Sequence, residues 1–493
     1  MKMKILSIDV GTSSVKAALF DCRGNEHASV SKEYELERKT GGWVEVDPLL
    51  YWTKTKEAVR DVMAETGQFE KIVAVGVTGQ GETLIALDKN GIPVRNAMVW
   101  LDARAVNEAK DIEKFFGMDT VYKITGQNDI SPGYTTSMIL WLRKNEPETF
   151  KRISKFLLVT DYIVYRLTGR YVSNKALYPS TLYYDFQKER WWTKMLDFLS
   201  VKEKNLPELL DSGIAAGKLE CNELGISGDA VVCPAPIDQV TGALGAGNLQ
   251  KGVISESTGT VLAICGVTDK PAYDKYRRFC LFPHAVKERF VAMPWAPSSG
   301  SILAWYRNNF CQGMSYEKMM DEADEVPPGS EGLVVLPHFE GINCPCKIAD
   351  VRGVFWGVGL THQKKHFIRA IMESVAFLLK DYISILEEND IRGNKIISLG
   401  GAARSKTWSQ IKADVLGKEV VTNRSSETVC LGASMVAAVG AGLFKSCECA
   451  SAGMSGTGTS FMPSASSHLY KDLYEEYRRL NKLYRSFYMG GTK

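Results

Sequence analysis

Lys4-Ile5-Leu6-Ser7-Ile8-Asp9-Val10-Gly11-Thr12-Ser13-Ser14-Val15-Lys16-Ala17-Ala18-Leu19-Phe20 is the stretch on which the fold turns. Ile5, Leu6, Ile8 and Val10 form a short apolar run, which predicts a buried strand. Gly11 to Ser14 is a turn of small and hydroxyl residues. Val15 to Phe20 is a second apolar run, closed by Asp21-Cys22-Arg23-Gly24-Asn25. Strand, small turn and strand make a β-hairpin, with Asp9 where the first strand gives way. Such a turn offers N–H groups and hydroxyls to an anion, with no bulk to hold a phosphate away. A carboxylate beside it would repel phosphate unless a hard cation lay between them. Asp9 with Gly11, Thr12 and Ser13 therefore suggests a metal–phosphate site, although an ordinary hairpin turn uses the same residue types.

A second copy strengthens that reading. Gly252-Val253-Ile254-Ser255-Glu256-Ser257-Thr258-Gly259-Thr260 leads into Val261-Leu262-Ala263-Ile264-Cys265, again strand, Gly-Thr turn and strand. Two such hairpins half a chain apart predict two halves built alike, each giving a phosphate-binding turn to one cleft. Neither is a P-loop, because no Gly-Lys-Ser/Thr follows and no helix starts there.

The chain has 493 residues, 45% hydrophobic and 24% charged, enough for two or three domains of an ordinary globular protein. A net charge of +3 from scattered Lys and Arg argues against a nucleic-acid binder, which needs a concentrated basic face. No apolar run reaches the length of a membrane span, and the start reads as a strand instead of a signal peptide, which points to the cytosol. Most of the eleven cysteines, such as Cys233, Cys265 and Cys430, sit in apolar runs and read as reduced core residues. Cys344-Pro345-Cys346 and Cys447-Glu448-Cys449 are too tightly spaced for a zinc knuckle.

Further along, Ser29 to Tyr34 reads as a strand, and Asp47-Pro48 opens a helix to Met63. Ile72 to Thr78 is the near-continuous apolar strand of a parallel sheet. It ends in Gly79-Gln80-Gly81-Glu82-Thr83, and Leu84 to Leu87 resumes as a strand. Leu101-Asp102-Ala103-Arg104 is expected to start a helix, and Ile153 to Gly169 to carry one. Val231-Val232-Cys233 reads as a strand, Pro234 to Gln239 as a loop and Val240 to Gly247 as a helix. The boundary between halves is placed at Gly247, giving domains 1–247 and 248–445. Residues 446–493 are expected to hold a Ser/Gly-rich mobile loop at 450–467 and a tail helix. That helix should pack through Leu469, Leu473, Tyr477, Leu480, Tyr484 and Phe487.

Four strand-end loops carry polar residues that core packing would not ask for: 9–14, 79–83, Asp238-Gln239 and 257–260. Ligands of open α/β sheets bind beyond strand carboxyl ends, so these loops imply one inter-domain cleft. Gly400-Gly401-Ala402 adds a fifth, where a flat ring could lie against backbone.

With these motifs in order, the whole chain resembles the FGGY family of carbohydrate kinases, of the sugar kinase, Hsp70 and actin superfamily, whose α/β fold pairs two ribonuclease H-like domains. Asp9-Val10-Gly11-Thr12 with Lys16 is similar to its first phosphate motif, and Ser257-Thr258-Gly259-Thr260 to its second. Trp43 to Pro48 with Tyr51-Trp52, Val99 to Arg104, and Asp161-Tyr162 through Gly169 resemble further landmarks. So do Gly353 to Val358, His366 to Glu373, and Gly400 to Ser405 with Trp408. The resemblance implies ATP-dependent phosphorylation of a sugar or polyol hydroxyl, with ATP and Mg²⁺ as cofactors and no nucleic-acid or membrane partner. A homodimer is the expected assembly. Asp238 falls on the catalytic base and Asp9 on the Mg²⁺-holding acid; a helix-capping Asp is the other reading of Asp238. Gln80, Glu82, Trp100 and Asp238 would line the sugar pocket in the N-terminal domain. Gly11, Thr12, Ser13, Lys16, Gly259, Thr260, Gly300, Gly400, Gly401 and Ala402 would contact nucleotide or phosphate.

The chain departs from the family where Met138 replaces its lysine ahead of Trp141. Against glycerol kinases, Gly81 stands for an arginine, Gly133 for a tyrosine and Ala263 for a phenylalanine. These replacements predict a roomier pocket and a four- or five-carbon ketose or polyol, xylulokinase-like or polyol kinase-like. Glycerol phosphorylation, or an ATP-binding regulator of the same fold without sugar kinase activity, are the alternative readings.

Overall fold

The computed structural model describes residues 3–66, 71–226 and 229–489. They form two compact units. The first holds Met1–Leu249, Cys280–Val291 and Glu427–Ser455; the second holds Gln250–Phe279, Ala292–Ser426 and Gly456–Lys493.

In the first unit a six-stranded sheet runs in the order Gly217–Lys218, Val231–Ile237, Lys71–Gly79, Met3–Val10, Ser14–Asp21, Glu26–Glu33. Lys71–Gly79 pairs in parallel with both Met3–Val10 and Val231–Ile237, and the hairpin strands complete the sheet antiparallel. Ile5, Leu6, Ile8 and Val10 are all fully buried, as a strand covered on both faces requires. A second, five-stranded sheet joins Glu37–Lys39, Trp43–Val46, Ala97–Met98, Leu84–Leu87 and Lys155–Leu158.

The second unit repeats the plan. Gly252–Thr258 and Leu262–Thr268 form the antiparallel hairpin, and Gly393–Leu399 and Glu419–Asn423 extend it in parallel. A helix of 25 residues, Lys364–Glu388, supplies much of its core. Within each unit the first hairpin strand is thus flanked by its own partner and a parallel strand from far along the chain.

Several expectations need correction. Residues 101–104 are not helical; the helix starts at Val106. The Asp102 carboxylate is engaged elsewhere: it accepts the Val44 N–H at 2.7 Å and holds Arg104 at 2.7 Å. Arg104 also reaches Glu45 at 2.7 Å and lies 3.6 Å from the Trp43 ring centroid. These landmark residues form a clasp between two sheet strands and the following turn. The expected helix from Ile153 divides into a strand, Lys155–Leu158, and a helix, Val159–Thr168, that ends at left-handed Gly169. Pro234 and Pro236 lie inside a strand that extends to Ile237, with the register irregularity that proline imposes.

The stretch 450–467 is not one loop. It contributes to the helix Cys447–Met454 and forms the strand Thr457–Phe461, antiparallel to Glu419–Asn423. The tail helix Ser467–Met489 is rotated from the expected stripe. Tyr470, Tyr474, Tyr477 and Leu480 are buried, while Leu469 and Phe487 are exposed. The rotation places the Tyr470 hydroxyl 2.8 Å from Glu373 and that of Tyr474 2.6 Å from Asp381, so phenol hydrogen bonds decide which face turns inward.

The Gly/Ala-rich helix Thr428–Gly440 belongs to the first unit, far from its neighbours in sequence. It meets Asp238–Gly245 backbone to backbone. A Cβ on Gly432 would lie 1.9 Å from the Thr241 carbonyl oxygen, and one on Gly245 2.0 Å from that of Thr428. Gly432→Ala must push the helices apart, and it is expected to destabilise the first unit by about 1–3 kcal/mol, the usual cost of overpacking. An unchanged urea midpoint for this variant would mean that the contact is looser than described.

Candidate active site

The parallel register of the first unit brings three acids to one sheet edge. Val10 lies opposite Gly79, and Gly79 opposite Ile237. Asp9, Gln80 to Glu82 and Asp238 therefore leave the sheet at the same level. Asp238 is the first residue of the helix Asp238–Gly245, and its Oδ1 accepts the Gln239 N–H at 2.7 Å. The base and helix-start readings of Asp238 are thus compatible in one residue.

The acids are half-buried, open enough for a ligand yet surrounded by enough protein to suppress ionisation. Burial, reinforced by the Asp9 and then the Glu82 charge, pushes the Asp238 carboxyl up to about 8. Burial raises Glu82 to about 7 against hydrogen bonds from its own backbone and Ser180. Asp9 is raised to about 6 by burial, with Lys16 opposing and Glu427 reinforcing the shift. Lys16, opposite Asp9 in the hairpin, is itself paired with Glu427 at 2.5 Å.

The first turn is braced by side chains from several elements. The Gly11 carbonyl accepts the Tyr34 hydroxyl and, at 3.2 Å, the Gln80 amide. Thr12 Oγ1 accepts the Trp100 indole N–H at 2.9 Å, and the Ser13 carbonyl accepts the Tyr34 N–H at 3.0 Å. Gln80 also accepts from Thr83 at 3.0 Å. Gln80 and Trp100, expected in the sugar pocket, are thus both engaged with the turn or its supports. Tyr34 and Tyr51, whose rings meet edge to face at 5.3 Å, are supports that sequence reasoning missed. A cavity of about 510 Å³ in this unit, lined by residues that include Asp47, Ile92, Arg95 and Arg166, contains none of the candidate residues.

A cation finds one donor here. Asp9 Oδ1 is buried without a hydrogen-bond partner, whereas no group of three His, Cys, Asp or Glu among the described residues could hold a metal. Asp9 could give one carboxylate oxygen to a hard divalent ion.

In the second unit the turn residues also converge. Thr260 O accepts the Ser299 N–H at 3.1 Å and the Ser301 hydroxyl at 2.8 Å. A Cβ on Gly300 would lie 2.6 Å from Gly259 O. Gly400, at φ 78°, comes so close that a Cβ would lie 3.0 Å from Thr258 O; Gly259 and Gly401 face open space. Ala402 is buried, and Trp408 donates to Met372 O at 3.1 Å from inside the core. Beneath these turns lies a fully buried pair that sequence reasoning also missed, Glu256 and Lys412, 2.6 Å apart. Its one signal was a glutamate inside the strand that leads into the second Gly-Thr turn.

Family models for the FGGY family of carbohydrate kinases match residues 4–245 with the N-terminal domain and 265–441 with the C-terminal domain. The chain belongs to the FGGY family of carbohydrate kinases. It is a phosphotransferase of that family, with the two-domain α/β fold of the sugar kinase, Hsp70 and actin group. A xylulose kinase of Lactococcus lactis subsp. lactis (strain IL1403) is 32% identical over 97% of this chain and 96% of its own length. Two solved structures from Lactobacillus acidophilus, a ligand-bound xylulose kinase and a gluconate kinase, are each 25% identical with a TM-score of 0.90. They cover 99% of this chain and 99% and 100% of their own.

The expected widening of the FGGY sugar pocket does not hold at one of its three positions. A Cβ on Gly133 would lie 2.0 Å from the Trp100 carbonyl oxygen, so backbone fills that direction. The next residue, Tyr134, has its phenol held far above its usual range by burial and by the Asp129 and Glu82 charges. A Cβ on Gly81 would lie 3.0 Å from Ile237 Cδ1. That neighbour is the end of a flexible side chain, so Gly81 stays in that argument with Ala263, which is paired with Trp295 in the second unit.

A pH test follows from Asp238. Its folded pKa of about 8 stands above the ordinary value of 3.8. Across that window the folded carboxyl keeps a proton that the unfolded chain has lost, so stability falls as pH rises. Asp238→Asn removes the penalty. Free of metal and nucleotide, the variant is expected to melt above wild type at pH 8, with the difference vanishing near pH 4. Equal differences at both pH values would show that Asp238 is not desolvated.

Proposed function

We propose that this chain transfers the terminal phosphate of ATP to a hydroxyl of a four- or five-carbon ketose or sugar alcohol, with a xylulose-like ketopentose as substrate. The observation that carries the reading is the Asp238 carboxyl at the end of Val231–Ile237, close enough to Asp9 and Glu82 to feel both charges. An alcohol is a poor nucleophile, and a carboxylate in hydrogen-bond reach accepts its proton as the oxygen–phosphorus bond forms and the bond to ADP breaks. Glu82 and Tyr134 would orient the remaining hydroxyls. The braced turn Gly11–Ser13 with Lys16, and Gly259, Thr260, Gly300 and Gly400–Ala402, would take the phosphates and base of the nucleotide.

Asp9 would hold Mg²⁺, which when bound would supply positive charge that offsets the phosphates and favours the ionised form of Asp238. The substrate class rests on likeness to full-length xylulose kinases. Among the described residues no helix is long and apolar enough to cross a membrane. The reading places the reaction in the cytosol, carried out by a homodimer that acts on a small molecule without nucleic acid.

The deciding experiment is ADP release with Mg-ATP against xylulose, other ketopentoses, gluconate, polyols and glycerol. The ketopentose is expected to exceed glycerol by at least about 10²-fold in kcat/KM, the scale of a few kcal/mol of differential binding. Glycerol as the best substrate would reverse the assignment. Asp238→Asn is expected to lose roughly 10²–10⁴-fold in kcat while still binding nucleotide. A variant within threefold of wild type, far short of that loss, would remove Asp238 from the role of base.

A further inference from the structure

We propose that the buried Glu256–Lys412 pair is a positioning device that fixes the turn Gly259-Thr260 against the turn Gly400-Gly401, setting the spacing at which the second unit receives a nucleotide's phosphates. The inference rests on the reading that those turns take the nucleotide.

Both side chains have no exposed surface. Lys412 donates to Glu256 Oε1 at 2.6 Å, to Thr258 Oγ1 at 3.0 Å and to Ser398 Oγ at 3.2 Å, which uses all three ammonium protons. Thr258 donates in turn to Glu256 Oε2 at 2.7 Å, and Ser398 donates to Glu256 Oε1. The five-bond knot therefore ties three elements: the strand Gly252–Thr258, the strand Gly393–Leu399 and the helix Lys406–Leu416.

Its position gives it a use beyond cohesion. Backbone pairing between the two strands ends at Ser257 opposite Leu399. Beyond that point each chain enters its glycine turn, and the last side-chain ties before the turns are those of Thr258 and Ser398. Gly400 follows Ser398 by two residues and packs against the Thr258 carbonyl, while Gly259 follows Thr258 directly.

Stability alone does not account for charges here, because a buried ion pair does little better than apolar residues of the same volume. An apolar pair would fill the space but would leave the Thr258 and Ser398 hydroxyls free to turn. The charged pair fixes both hydroxyls, and through them the exit direction of both turns. That is a constraint on geometry more than on cohesion.

The double variant Glu256→Gln/Lys412→Met removes both charges without leaving one buried alone. If it melts cooperatively, the KM for ATP is expected to rise at least about fivefold, the cost of about one lost hydrogen bond in the bound complex. The KM for the sugar should stay within about twofold of wild type, because a merely structural lesion would lower active protein without separating the two constants. An ATP KM that moves less than this, or moves together with the sugar KM, overturns the inference.

Should the double variant fail to fold, Thr258→Val and Thr258→Ser decide. The valine removes the hydroxyl and should raise the ATP KM, the serine restores it and should not, and equal effects overturn the inference. Gly401→Val, checked first for a wild-type melting profile, separates the two layers of the argument, since a Cβ there meets nothing within 4 Å. If Gly401→Val binds Mg-ADP like wild type in calorimetry, the nucleotide lies elsewhere and the underlying reading fails. If Gly401→Val loses ADP while the pair variants do not, only the positioning role fails.

Discussion

Parallel register is the constraint on which the chemistry of this chain depends. In the first unit Lys71–Gly79 lies between Met3–Val10 and Val231–Ile237, and the pairing ends with Val10, Gly79 and Ile237 at one level. A slip of one residue in either strand would move Asp9 or Asp238 along the edge and turn its side chain to the other face. The register is guarded by close approach: a Cβ on Gly79 would lie 2.4 Å from the Val10 carbonyl oxygen, and one on Gly76 2.2 Å from that of Ala433. The second unit uses the same device, and its end of register at Ser257 and Leu399 sets its two glycine turns side by side.

The two sets of turns treat buried charge in opposite ways. Glu256 and Lys412 neutralise each other completely, and every donor of the lysine is matched. The acids at the first sheet edge have no such partner among the described residues, for nearby Lys16 is already matched to Glu427. Asp9, Glu82 and Asp238 consequently keep protons that free carboxylates would lose. Structural charge is closed, whereas functional charge is left open for ligands to complete.

What the sequence made legible follows the same division. Asp9, Gly11, Glu82 and Asp238 were readable because short polar loops interrupt apolar strands, and a core has no use for them. The doubled hairpin predicted two like units for the same reason. What stayed hidden depends on partners distant in sequence. Glu256 meets Lys412, Lys16 meets Glu427, and Tyr134 feels the Glu82 charge, none of which leaves a local pattern. The tail helix was misoriented because apolarity was weighed above hydrogen bonding, and Tyr470 and Tyr474 turn inward through their hydroxyls. The glycines at 81 and 133 were taken as missing bulk. At 133 the Trp100 carbonyl fills the direction a side chain would take, so glycine marks crowding there and not room.

The resting state of the acids has a consequence for how a kinase of this kind avoids wasting its donor. Water reaches any half-open site more easily than a sugar does, and a permanently ionised base would accept a proton from water as readily as from an alcohol. With its carboxyl raised to about 8, Asp238 is largely protonated at neutral pH and can take no further proton. Under the proposed function, it becomes a base only when its electrostatic surroundings change, by added positive charge near Asp9 or by a hydroxyl that satisfies Glu82. The burial, reinforced by the neighbouring carboxylates, that weakens the fold above pH 4 thus makes competence of the base conditional on the completed site. A better-paired Asp238 would give a more stable protein whose base was ionised before the substrates arrived.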